Sequence, residues 1–247
     1  MNASNIRINC DMGESFGLYK MGNDEETMPL ITEANVACGF HGSDPNHMRS
    51  TLQLAKQHKV RVGAHFSLPD LAGFGRREMK IGREELANII IYQIGALKGF
   101  LQAEDMELAH LKPHGALYGM AAKQEHVAHA VCDAAEIFRV PLFGLSGTLH
   151  EKIYSERGLE FVPEFFVDLE YDNDAQLLIT RDHAKCNTKD ISEKTLRAVR
   201  DGIVVSAGGK EVSVRAETIC IHSDTPNVVE IAQAVKKTLE TLNSNQT

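Results

Sequence analysis

Short apolar runs alternate with longer amphipathic ones along this chain, a pattern that predicts strands joined by helices. The first run, Ile6 to Cys10, predicts a strand that stops at Asp11-Met12-Gly13-Glu14. Asp24-Glu25-Glu26 opens a short helix ending near Thr32, and Asn35 to Phe40 forms a second strand followed by His41-Gly42-Ser43-Asp44. Ser43 or Asp44 suits an N-cap and Pro45 the first turn of a helix with Met48, Leu52 and Ala55 on one face. Arg61 to Phe66 is a third strand, with His65 at its end.

Gly82 to Ala103 gives the clearest helix, with Leu86, Ile89, Ile90, Gln93, Ile94, Leu97 and Leu101 at helical spacing. Leu108 to Lys112 is a fourth strand, cut by Pro113, which lacks the donor a ladder needs. A helix over Glu125 to Ile137, a fifth strand near Leu142 to Leu145, a helix from about Thr148 and a sixth strand within Glu160 to Leu169 follow. The last quarter holds Ile203 to Ser206, a Gly208-Gly209 turn, Val212 to Val214, a strand over Thr218 to His222, and a helix bearing Val228, Ile231, Val235, Leu239 and Leu242. Strand, loop and helix repeated about seven times point to parallel strands with helical crossovers. The expected fold is α/β, a (β/α) barrel of seven or eight units; a doubly wound sheet is the competitor, though its dinucleotide fingerprint GxGxxG is absent. No linker or solenoid-length repeat divides residues 1–247, which are expected to form one domain.

Composition narrows the function. The 247 residues carry 26 Lys+Arg against 34 Asp+Glu, a net charge of −8, and the largest basic cluster is Arg76-Arg77 with Lys80 and Arg83 nearby. That is too small a footprint for nucleic acid, which is not expected as a partner. No run approaches the roughly 20 apolar residues that span a bilayer, and the start lacks the sections of a signal peptide, so the expectation is a cytoplasmic protein with no membrane contact. Five scattered cysteines form no CxxC and are expected to be reduced and mostly buried.

The chemistry collects at strand ends. Of eleven histidines, His41, His65, His114 and His222 stand at or just beyond the C-terminal end of an expected strand, and so do Asp11, Glu14, Asp44, Lys112, Asp168 and Asp224. In parallel α/β folds those ends converge on the rim where ligands bind. A lone His after a strand is usually a hydrogen-bonded loop residue; four at equivalent positions favour a functional cluster. Imidazole beside carboxylate serves as general base or metal ligand, and Lys112 suits an anion or a developing oxyanion. For Asp11 and Glu14 the competing reading is turn chemistry and helix capping. His47, His58, His126, His129, His150 and His183 read as surface residues, and His110 as structural. No HExxH, Walker A or GxSxG motif occurs, so whether a metal is bound stays open, and the chain has no phosphate loop of its own.

Several longer phrases are more specific than this chemistry. Asn9-Cys10-Asp11-Met12-Gly13-Glu14, Ala34 to His41, Gly63-Ala64-His65, Pro69-Asp70 with Gly73 to Arg77, Tyr92 to Leu97, Lys112 to Tyr118 and Thr218 to His222 resemble, in the same order, the LamB/YcsF family, which includes the A component of 5-oxoprolinase. The resemblance runs from about Ile6 to Leu242. It implies a seven-stranded, deacetylase-like barrel and a part in the ATP-dependent opening of 5-oxoproline to glutamate, together with subunits B and C; with no phosphate loop of its own, the chain either binds ATP with Mg²⁺ unconventionally or leaves it to those partners. Of the family's recurrent polar positions, Asp11, Glu14, His41, His65, Lys112 and His114 are expected to be catalytic. Asp44, Arg76, His222 and Asp224, together with Asp168, are expected to bind substrate. Two alternatives from other classes are a stand-alone metal-dependent amidohydrolase or deacetylase and a non-catalytic binding subunit. The chain departs from the family at Phe66, where Pro is usual after Gly-Ala-His. It also reads Val167-Asp168-Leu169-Glu170-Tyr171 where Ala-Asp-Arg-x-Tyr is usual, which removes a bidentate carboxylate binder.

Overall fold

The computed structural model describes residues 6–178 and 184–244. Its strands in chain order are β1 Arg7–Met12, β2 Glu33–Ala37, β3 Arg61–Phe66, β4 Leu108–Pro113, β5 Leu142–Gly144, β6 Phe161–Phe166, β7 Glu170–Tyr171, β8 Leu177–Leu178, β9 Ile203–Val205, β10 Glu211–Ser213 and β11 Thr218–His222. The helices are α1 Asp24–Thr27, α2 Pro45–His58, α3 Arg83–Ala103, α4 Gly115–Ala121, α5 Glu125–Phe138, α6 Leu149–Glu156, α7 Thr188–Arg200 and α8 Val228–Ser244. Seven strands close a parallel barrel in the order β1-β11-β6-β5-β4-β3-β2, so the barrel is the fold and the doubly wound sheet is not. The short pairs β7-β8 and β9-β10 are antiparallel hairpins between β6 and β11, outside the barrel. The Ile203 and Val212 runs are therefore hairpin strands. Among the described residues, no helix is long and apolar enough to cross a membrane.

The boundaries follow local chemistry. Asp44 caps α2, its Oδ1 accepting from the N–H groups of Asn46 and His47, and Pro45 occupies the first turn. The acidic segment makes only α1 and a single 3₁₀ turn at Met28–Leu30. Two helices escape the pattern reading. The seven-residue α4 is too short to show a period, whereas α7 carries an Asn187 cap and buried Ile191, Thr195, Ala198 and Val199 at helical spacing.

Alternation along the strands divides the barrel into an apolar jacket and a polar lumen. Ile8, Cys10 and Met12 of β1, Ala34 and Val36 of β2, and Ile219 and Ile221 of β11 join a core with Leu52, Ile90, Ile94, Val131, Ile231 and Val235 of the helices. The intervening residues point inward. Asn9 Nδ2 donates to Thr218 Oγ1 at 2.9 Å, Asn35 Nδ2 donates to Asn9 Oδ1 at 2.7 Å, and His110 Nε2 donates to Asn35 Oδ1 at 2.7 Å. Glu33 closes the lower end against Arg7 and Arg61. His110 is structural, as its strand position predicts. Its ring stacks on Phe143 at 4.1 Å and lies against Gly63, where a Cβ would fall closer than 3.0 Å to its atoms.

Candidate active site

The upper end of this lumen is the site. The parallel register sets Asp11 beside His222 and His65 beside Lys112, bringing four strand ends to one level. Asp11 is the hub. Its Oδ1 accepts from Asn35 Nδ2 and Lys112 Nζ, both at 2.8 Å, and its Oδ2 lies 3.2 Å from His65 Nε2 and 3.8 Å from His222 Nε2. Burial alone would push this carboxyl up; the charges of His65 and Lys112 outweigh it and hold Asp11 well below the usual carboxylate range.

Lys112 is only 2% exposed. Burial would lower its ammonium, but Asp11, Cys220 and Glu164 hold it well above the usual lysine value. Its Nζ lies 2.8 Å from Asp11 Oδ1, 3.0 Å from Glu164 Oε1 and 3.0 Å from Cys220 Sγ. An ammonium has three N–H groups. Hydrogen bonds to Asp11, Cys220 and, at 3.4 Å, Asn9 Oδ1 engage all three, with Glu164 as a close ion-pair partner, so Lys112 is a fixed countercharge to Asp11 and an oxyanion could reach it only by displacing one of these groups.

On the opposite wall His222 Nδ1 donates to Asp168 Oδ1 at 3.0 Å, while the His222 backbone N–H and Thr225 Oγ1 engage Oδ2. The carboxylate outweighs the effect of burial and raises the His222 pKa. Asp168 thus stands behind His222 and orients it, instead of lining the cavity. Asp224 likewise meets Arg76 at 2.7 Å, with the Arg76 guanidinium over the Phe74 ring at the rim. Asp44 is engaged in capping α2 and in holding the Gly17 N–H, and does not reach the cavity.

A second group sits beside the hub. Glu14 Oε1 is 3.0 Å from His41 Nε2 and 3.5 Å from His114 Nδ1, and Ser223 Oγ donates to Glu14 Oε2 at 3.3 Å. Burial, then Asp11 and Asp224, push the Glu14 carboxyl well up; burial, reinforced by neighbouring imidazoles, pushes His41 and His114 well down. The His41 and His114 rings stack at 3.7 Å, and His114 Nε2 donates to the Phe74 carbonyl at 2.8 Å. Gly75, at φ +63°, holds this turn against the rings where a Cβ would collide with Ser67 Oγ. Glu14, His41, His65 and His114 form one group with metal-ligating atoms in reach of each other, and Asp11, Cys220 and His222 form another.

The cavity above measures about 30 Å³ and is lined by Asp11, His65, Arg76, Lys112, His114 and His222 below, and by Tyr118, Phe166, Leu169 and Leu177 on its apolar side. The structure thus gathers all the expected residues except Asp44, with Asp168 and Asp224 acting through His222 and Arg76. Pattern reading misses Asn9, Asn35 and Glu164 of the floor; the alternation of β1, β2 and β6 places them, but only once the barrel's inside is known. His150, expected at the surface, is fully buried: its Nδ1 accepts from the Leu145 N–H, and burial pushes its pKa down to about 3. His183 lies outside the described residues. All five cysteines are free, and every one but Cys186 is buried.

The LamB/YcsF family profile matches residues 6–247. The chain is 47% identical over 239 residues to the A component of 5-oxoprolinase from Thermococcus onnurineus, covering 95% of this chain and 94% of that protein. It is 44% identical over 240 residues to the lactam utilization protein lamB of Emericella nidulans, covering 96% and 94%. The crystal structure of a lactam utilization protein from Thermus thermophilus superposes with a TM-score of 0.89 at 42% identity, covering 96% of both chains.

Proposed function

The chain belongs to the LamB/YcsF family, and from that premise we propose that it is the A component of an ATP-dependent 5-oxoprolinase, opening 5-oxoproline to L-glutamate together with subunits B and C. The observation that carries this reading is the hub: an ionised Asp11 between two imidazoles, His65 and His222, under an apolar wall. Hydrolysing a lactam requires a proton to leave water and another to reach the ring nitrogen. Asp11 with His65 serves as the base toward water, and His222, kept charged by Asp168, faces the leaving nitrogen as the acid. Lys112 keeps Asp11 ionised and in place.

Space of about 30 Å³ holds a water, so a five-membered lactam enters by displacing the wall that carries Leu169 and Leu177. That wall is borne by the β7-β8 region outside the barrel, which is held to it where the Phe166 N–H donates to the Tyr171 hydroxyl at 2.8 Å. A nucleotide does not fit the same cavity, and the chain has no phosphate-cradling glycine loop. ATP with Mg²⁺ is therefore assigned to the complex with B and C, and no step on this chain runs through it.

The test is reconstitution. The purified chain is incubated with B, C, ATP, Mg²⁺ and 5-oxoproline, and glutamate is measured while each component is omitted in turn. Glutamate that needs all of them is the expected result. Failure beside an authentic A component that works with the same B and C would move the substrate to another lactam. Glutamate formed without ATP would make the chain a stand-alone amidohydrolase, and full turnover by His222→Asn would make it a binding subunit.

A further inference from the structure

Gly13 stands between the two site carboxylates that β1 and its loop deliver, Asp11 and Glu14. Its φ is +70°, and a Cβ there would fall 2.8 Å from Thr51 Oγ1 of α2. The turn is bare backbone at this point, and Asp24 takes its N–H: Oδ2 accepts from Gly13 at 2.7 Å. One residue on, the Glu14 main chain packs on Gly42, where a Cβ would fall 2.7 Å from the Glu14 carbonyl oxygen. The Ser43 N–H then donates to the Ser15 carbonyl at 3.1 Å. The segment is pinned from α1, from α2 and from the turn after β2.

Neither capping nor stability accounts for Asp24. It opens the four-residue α1, yet its carboxylate reaches back to Gly13, and Asn23 at the cap position of that helix makes no side-chain cap bond. Its other oxygen, Oδ1, is buried with no hydrogen-bond partner among the described residues. Burial outweighs the Gly13 N–H and His47 and lifts the carboxyl to about 6, so the ionised group works against folding at neutral pH. A residue that costs stability while gripping the turn between two site carboxylates is explained by what it does for them.

We propose that Asp24 is a positioning residue for the lactam-opening step, fixing the Gly13 turn and through it the aim of Asp11 at His65 and of Glu14 at His41. The contacts that the turn sets are Asp11 Oδ2 to His65 Nε2 at 3.2 Å and Glu14 Oε1 to His41 Nε2 at 3.0 Å. Asp24 does not line the cavity, so it meets no substrate and acts on the step instead of on binding. In its kinetic part the inference rests on the lactam reading; in its geometric part it rests on this chain alone.

The test compares the full wild-type chain with Asp24→Asn, which keeps an acceptor for the Gly13 N–H, and Asp24→Ala, which removes it. In reconstitution with B, C, ATP, Mg²⁺ and 5-oxoproline, Asp24→Ala is expected to lower kcat by about 10–100-fold with KM within about 3-fold, the pattern of misplaced reacting groups. Asp24→Asn should restore most of that loss. A kcat kept by Asp24→Ala, or lost equally in both variants, overturns the proposal. Without substrate, the ¹⁵N ring signals of His41 and His65 should shift in Asp24→Ala and hold in Asp24→Asn; signals unmoved in Asp24→Ala overturn it too. A wild-type chain that forms no glutamate would sink the lactam reading, and the ring signals would still decide on Asp24. Should Asp24→Ala misfold, hydrogen exchange of the wild-type Gly13 amide decides: slow exchange supports the grip, and exchange as fast as in an open loop overturns it.

Discussion

His110 fills the space that any side chain at position 63 would need: a Cβ there would fall closer than 3.0 Å to three atoms of its ring. The two residues are register partners on β3 and β4, and the ring passes over the glycine to reach Asn35. Gly63→Ala is therefore expected to cost about 1–3 kcal/mol, an overpacking penalty, in urea unfolding. Combined with His110→Ala, the loss should be smaller than the sum of the two single losses. Strict additivity would mean that the ring does not set the requirement for glycine.

Lys112 is the countercharge for two buried carboxylates, Asp11 and Glu164. Lys112→Met is expected to destabilise the chain by about 3–5 kcal/mol, because it leaves buried charge uncompensated. Adding Glu164→Gln should recover part of that loss. The denaturation midpoints of the wild-type chain and both variants decide the point, and no recovery would remove Glu164 from the pair.

His222 owes its raised pKa to Asp168. In an NMR titration the wild-type His222 should lose its proton above the ordinary histidine value, and in Asp168→Asn below the wild-type position. Reconstituted glutamate formation should fall at least about 100-fold in that variant, the lower range for losing a positioned acid or base. An unchanged His222 titration would detach the carboxylate from the role assigned to it.

His150 makes folding sensitive to acid. Its folded-state pKa is about 3, below the ordinary histidine value, so on acidification the unfolded chain takes up this proton first. The contribution is complete above about pH 6.5 and shrinks as pH falls, by roughly 1.4 kcal/mol per unit, down to the folded pKa. Asp24, raised to about 6 by burial, works the other way, since its folded form takes up the proton first. The difference between wild type and His150→Asn cancels Asp24. Asn offers an acceptor near the place of Nδ1 for the Leu145 N–H, so this variant should lose less stability between pH 6.5 and 5 than the wild type does. Parallel curves would refute the assignment.

Strand ends are legible because the chemistry that stops a strand is local. The run from Thr218 to His222 and the Asp44-Pro45 cap are both readable from a few neighbouring residues. The lumen is not readable in this way. Asn9, Asn35 and Glu164 alternate with apolar residues as they would in a strand with one face in water, and only barrel closure turns the polar face inward. His150 misleads for a related reason. Its eight-residue helix is too short to fix a face, and the acceptor it supplies answers a backbone N–H that no pattern displays. The partnerships Asp168–His222 and Arg76–Asp224 join residues 54 and 148 positions apart. Both need the fold before they can be seen.

The floor of the cavity and the interior of the barrel are one hydrogen-bonded body, from Asp11 through Asn35 and Asn9 to Thr218. Any substitution that retunes the floor therefore also taxes folding, which leaves little room for gradual change there. The side chains of Leu169 and Leu177 stand outside that body, since the tie between their wall and the barrel runs through Tyr171, whose hydroxyl accepts from the Phe166 N–H. Selection can reshape what enters the site through those positions while the proton-handling residues stay as they are. In this architecture the choice of substrate and the chemistry done on it are free to evolve at different rates.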